Sequence, residues 1–118
     1  MRSREKTTLR ALKDVRENIF LALEFVAGVD FEEFVQNREK IYAVTRCLEI
    51  ISEASRRFPD DMRLRHTQIA WQDIASAGNV YRHEYEQLEE LEIWNTVLID
   101  LPLLRVVIEK ELGNLSGA

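Results

Sequence analysis

Apolar residues return every three or four positions along most of this chain, and a chain patterned in that way can bury its apolar surface only as helices laid side by side. The positions Leu9, Leu12, Val15, Ile19, Leu23 and Val26 form the first such stripe, which Gly28 is placed to close. Asp30 can cap a short turn through Phe34. From about Asn37 the series Ile41, Val44, Leu48, Ile51 and Phe58 repeats the period until Pro59 stops it. Each stripe covers about 20 residues, or about 30 Å of helix.

The rest of the chain is patterned less evenly. Residues 60–70 are polar and basic and fit a connection with about one helical turn. A short helix fits Trp71–Ala77, with Gly78 placed to end it in a left-handed cap. Beyond NVYRHEYEQ, the positions Leu91, Trp94, Leu98, Leu101, Ile108 and Leu112 build a last long helix. Pro102 lies inside it and predicts a kink or break near Leu98, whose carbonyl loses its partner. Residues 1–8 and 113–118 fall outside the stripes and are expected to fray. With only four Gly and two Pro in 118 residues, and no repeat or linker, the reading is all-α: one domain over residues 1–118, an antiparallel bundle of four to five helices.

Composition narrows the function classes. Cys47 is the single cysteine, so an intrachain disulfide or a cysteine-rich zinc site is excluded and a reducing compartment is expected. Its apolar surroundings mark it as a packing residue. The opening MRSREKTTLR has no signal-peptide core, and the most apolar stretches are cut by Glu24, Asp100 and Arg105, which points to the cytoplasm and away from a membrane. No cluster of Cys, His and carboxylates stands at metal-ligand spacing, so neither metal nor cofactor is expected.

The net charge of −5 argues against a general nucleic-acid coat. Its distribution is uneven, because residues 1–16 carry six basic groups against Glu5 and Asp14, a net of +4, which leaves −9 on the remainder. A second basic cluster, Arg56, Arg57, Arg63, Arg65 and His66, surrounds Pro59. Taken alone, each cluster reads as solvated surface and helix-end charge, and His66 as an ordinary surface residue.

The candidate site is DIASAGNVYRHEY, residues 73–85, where Asn79, Arg82, His83, Glu84 and Tyr85 crowd polar and titratable groups into seven positions. A histidine that titrates near neutrality can take and return the protons exchanged when a ribose 2′-hydroxyl attacks its own phosphodiester. Tyr85 adds a phenolic hydroxyl that can donate a hydrogen bond or be modified. Glu53 interrupts an otherwise apolar helix stretch, either as an exposed glutamate or as a residue that orients the site from behind. Trp71 and Trp94 read as packing residues.

From about Leu9 to Leu112 the order of landmarks resembles the HepT-like branch of the HEPN superfamily: AVTRCLEIISEA at 43–54, AWQDIASAGN, the HEY triplet His83, Glu84 and Tyr85, and DLPLL at 100–104. The resemblance implies a homodimeric helical bundle that acts as the toxin of a type VII toxin-antitoxin pair. It further implies metal-independent cleavage of RNA, transfer RNA in particular, and neutralisation by a minimal nucleotidyltransferase antitoxin, in some systems through AMP added to a tyrosine. The family signature is an Arg, usually followed by Asn, then His after four intervening residues, and Tyr two positions further on. His83 matches the catalytic histidine, Tyr85 the AMP-accepting tyrosine and Asn79 the polar residue after the arginine. The arginine's place is taken by Gly78, which cannot meet a phosphate. Arg82 is the substitute nearest in sequence, although on a helix it points about 100° away from His83. Arg56, Arg57, Arg63 or Arg65 could enter from the middle loop or from a second subunit. Two readings follow from the resemblance, a ribonuclease and a silent HEPN module that pairs with a nucleotidyltransferase; an unrelated four-helix interaction protein requires the ordered landmarks to be coincidence.

Overall fold

A computed structural model of the protein describes residues 2–80 and 86–116, apart from the side chains of 77–80, 86–89 and 116. Every regular element among the described residues is helical: α1 (Ser3–Val26), α2 (Phe31–Gln36), α3 (Arg38–Ser55), α4 (Asp60–Leu64), α5 (Trp71–Val80), α6 (Glu86–Asn95) and α7 (Leu101–Ser116). The helical segments α1, α3, α5 and α6–α7 are the bundle that the two long stripes and the last helix predict.

The boundaries follow local chemistry. α1 ends two residues before Gly28, which adopts φ 73°, a region open to glycine at little cost. The Asp30 carboxylate accepts from the Glu33 amide at 2.8 Å and caps α2, and the Asn37 side chain does the same for α3 through the Lys40 amide at 3.0 Å. Lys40 also donates its ammonium to the Phe25 carbonyl at 3.0 Å, satisfying an end group of α1 from the start of α3. Pro59 precedes the first residue of α4, where its missing N–H costs nothing.

The expected break before Pro102 takes a definite form. Thr96–Asp100 is a π-helical turn in which the Leu101 N–H reaches back five residues to the Thr96 carbonyl. A proline that cannot donate, set one residue further on, is met by widening the helix instead of severing it. The turn keeps Ile93 and Val97 of one helical run on the same buried side as Leu101, Leu104 and Ile108 of the next.

The expected end of α5 is corrected. Gly78 does not cap the helix, which stays helical through Gly78 to Val80. Glycine costs a helix interior about 1 kcal/mol relative to alanine, less than ten residues of docked helix recover.

α1 lies along α3 and α7, and α3 along α5. Leu12, Val15, Ile19, Val44, Leu48, Leu104 and Ile108 are almost fully enclosed at that junction, and each such side chain contributes about 1.5–3 kcal/mol on burial. Cys47 is buried among them, and burial pushes its thiol up from its ordinary value, as suits an inert packing residue. The tryptophans pack as expected: Trp94 sits 5.9 and 5.2 Å from the rings of Phe31 and Phe34, tying α2 to α6, and Trp71 meets Phe58 edge-on at 5.8 Å. No helix among the described residues is long and apolar enough to cross a membrane.

Candidate functional site

The segment that the sequence singles out begins on α5, so the seating of that helix decides where the segment starts. Ser52 and Arg56 are four residues apart at the end of α3 and face the same side. Both donate to one α5 carbonyl: Ser52 Oγ reaches Ala75 O at 2.7 Å, and Arg56 reaches it through Nη2 at 2.6 Å and Nε at 3.1 Å. Ser52 is buried, and its neighbour Ser55 donates back to the Ser52 carbonyl at 2.8 Å, which fixes this turn of α3. Ala75 and Asn79 are again four apart, so the clamp holds the helix one turn below the first predicted site residue.

The backbone of Asn79 belongs to α5, and its side chain lies outside the described residues. Arg82, His83 and Tyr85 lie outside them altogether. Glu53 is exposed on α3 and makes no ion pair with any described residue, while the contact to α5 is made by Ser52 beside it.

The basic cluster around Pro59 separates into different duties. Arg56 is the member whose guanidinium reaches the Ala75 carbonyl of α5. Arg57 faces α1, 3.6 Å from Asp14, and Arg63 pairs with Asp60 at 2.7 Å. Arg65 donates to Glu111 at 2.7 Å and to Asp61 at 3.3 Å.

The surface reading of His66 is corrected. His66 is 5% exposed, and its Nε2 lies 2.6 Å from Oε2 of Glu111, which is 4% exposed. Burial pushes the Glu111 carboxyl up, but hydrogen bonds from Arg65 and His66 outweigh this and hold it below its ordinary value. Trp71 closes the cluster by donating its indole N–H to the carbonyls of His66 at 3.0 Å and Arg63 at 3.2 Å. A buried glutamate with both carboxylate oxygens occupied is a structural pin between the α4–α5 connection and α7. The sequence held a signal for it, because Leu104, Ile108, Glu111 and Leu115 follow helical spacing and set a charge on the apolar stripe.

Between α5 and the α6–α7 run lies a cleft of about 490 Å³, floored by Leu48, Ile51 and Leu104 and carrying Asp73 and Asp100 on its walls. Partial burial and then the neighbouring Asp73 charge push the Asp100 carboxyl up from its ordinary value. Among the described residues no three His, Cys, Asp or Glu side chains come together as a metal site.

An all-helical bundle whose α5 includes the backbone of Asn79 and is followed in sequence by an Arg-His-Glu-Tyr run is a HEPN-type arrangement. The family model described as ribonuclease HepT-like matches residues 15–111, and the chain belongs to that family. A candidate ribonuclease HepT of Thermococcus cleftensis is 36% identical over 99 residues, covering 84% of this chain and 90% of the relative. A candidate RNase of Methanocaldococcus jannaschii is 30% identical over 106 residues, covering 90% of this chain and 88% of the relative. One of Caldanaerobacter subterraneus subsp. tengcongensis is 32% identical over 110 residues, covering 90% and 98%. No solved structure matches the chain.

Proposed function

We propose that this protein is an endoribonuclease that cleaves RNA, transfer RNA in particular, without a metal, and that it is the toxin of a type VII pair in the cytoplasm, neutralised by a minimal nucleotidyltransferase. The observation that carries this reading is the family match across residues 15–111, which includes the whole 79–85 segment. His83 is the general acid or base, Asn79 and Arg82 contact the scissile phosphate, and Tyr85 accepts AMP from the antitoxin. The Ser52–Arg56 clamp acts on the site through the seating of α5, and Glu53, beside Ser52 on α3, orients the 79–85 segment from behind. A chain of this size encloses a polynucleotide by pairing with a second copy, so the active form is a homodimer with the two segments facing one cleft. The exposed apolar side chains Ile99, Leu103 and Val106 on the outer face of the π-turn and α7, at 58%, 60% and 68%, support such a self-pairing surface.

A second reading, a silent module that keeps the fold and presents Tyr85 to the nucleotidyltransferase, is favoured by Gly78 alone. The test is cleavage of total transfer RNA in EDTA by the protein free of any partner. Cleavage that disappears in His83→Ala supports the ribonuclease. No cleavage, together with AMP on Tyr85 after co-expression with a minimal nucleotidyltransferase, selects the silent module.

A further inference from the structure

The N-terminal half of α1 and the turn after α3 enclose an open groove of about 720 Å³, lined by Lys6, Arg10, Lys13 and Arg57, with Asp14 as its acid. We propose that this groove binds the phosphodiester backbone of RNA away from the 79–85 segment, a proposal that rests on the RNA-cleaving reading above. Lys6, Arg10 and Lys13 stand four and three residues apart on α1, which spaces their attachment points by about 6 and 4.5 Å along one helix face. All three are exposed, and none forms an ion pair with a described residue. Asp14 engages Arg57 at 3.6 Å and leaves the three α1 cations uncompensated.

In a chain with a net charge of −5, such a concentration of free cations is local, and releasing counterions from a polyanion is what it does best. A membrane surface fits poorly, because the lining has no exposed large apolar side chain to enter lipid and Leu9 packs against the core. The groove is also joined to the candidate site: Arg57 faces α1, while the adjacent Arg56 holds α5 through Ala75. A strand lying along α1 is therefore carried to the end of α3 that seats the helix leading into His83.

The test is fluorescence anisotropy with a labelled single-stranded oligouridylate, in EDTA and in a His83→Ala background, across a range of salt. The groove variant Lys6→Ala/Arg10→Ala/Lys13→Ala is compared with Arg38→Ala/Arg46→Ala/Arg105→Ala, which removes equal charge elsewhere, both checked for helicity. Single-stranded contacts contribute about 0.7 each to the log-log salt slope, so the groove variant is expected to lower it by about 2 and the other to leave it nearly unchanged. Asp14→Asn is expected to tighten binding. Equal losses in the two triple variants overturn the groove and leave the ribonuclease standing. Absence of RNA binding by the parent protein, at any salt, overturns both. RNA binding that is unchanged in the groove variant while binding to phosphatidylserine vesicles is lost assigns the groove to a membrane and overturns the proposal.

Discussion

Glu111 shows how much one side chain can organise. It accepts from Arg65 and sits 2.6 Å from His66 while almost fully buried, so removing it strands two polar partners. Glu111→Ala is expected to cost about 3–5 kcal/mol, the usual penalty for breaking a buried pair, read as a lower denaturation midpoint. The pH dependence has a definite sign. The folded carboxyl titrates below its unfolded value, so its stabilisation is complete above the unfolded value near 4.5 and is lost as pH falls through the folded one. Melting curves from pH 7 down to pH 3 should therefore show a steeper loss for the natural protein than for Glu111→Gln, and parallel curves would rule this out. Gly78 is the second decisive position. Because α5 is helical there, Gly78→Arg imposes no left-handed strain and gains up to about 1 kcal/mol of helix propensity. If the site lacks only its phosphate ligand, the same substitution restores about 2.7–4 kcal/mol of transition-state stabilisation, seen as faster cleavage of transfer RNA that His83→Ala abolishes. Fast cleavage by the natural protein that Arg82→Ala abolishes would instead assign the phosphate contact to Arg82.

At the scale of elements, the termini of the helices were legible and their distortions were partly so. Asp30, Asn37, Gly28 and Pro59 act through their own backbone and nearest neighbours, which is why residue type and position alone announce them. Asp30→Ala removes the acceptor of the Glu33 amide and should cost about 1 kcal/mol, a shift in denaturant midpoint with unchanged slope. Pro102 announces a break but not its shape. Whether a helix kinks, ends or widens depends on what must be buried on either side, and here Val97 and Leu101 both face the core, so the π-turn Thr96–Asp100 carries the irregularity. Gly78 misled for the same reason: a glycine can end a helix, but docking of α5 on α3 through Ala75 carries the helix past it.

At the scale of the whole molecule, the expected assembly is a homodimer across the face that carries Ile99, Leu103 and Val106. Light scattering should give twice the chain mass at micromolar concentration, and Leu103→Lys/Val106→Lys should give a folded monomer with little ribonuclease activity; a dimer that survives the double substitution would place the interface elsewhere. By itself the sequence determined the all-helical class, the end of α1, the starts of α2 and α3 and the family, because periodicity, capping and motif order are properties of residues close together in the chain. It also singles out the 79–85 segment as the candidate for chemistry, through His83, Tyr85 and their spacing, and His83 and Tyr85 lie outside the described residues. The tertiary structure alone decided that His66 is buried, that Arg65 and His66 share Glu111 from 46 and 45 positions away, and that the Arg56 guanidinium holds the Ala75 carbonyl of α5. Those contacts join residues far apart in the chain, and a charge in a loop looks the same in sequence whether its partner is water or a carboxylate brought to it by the packing of α7 against α1.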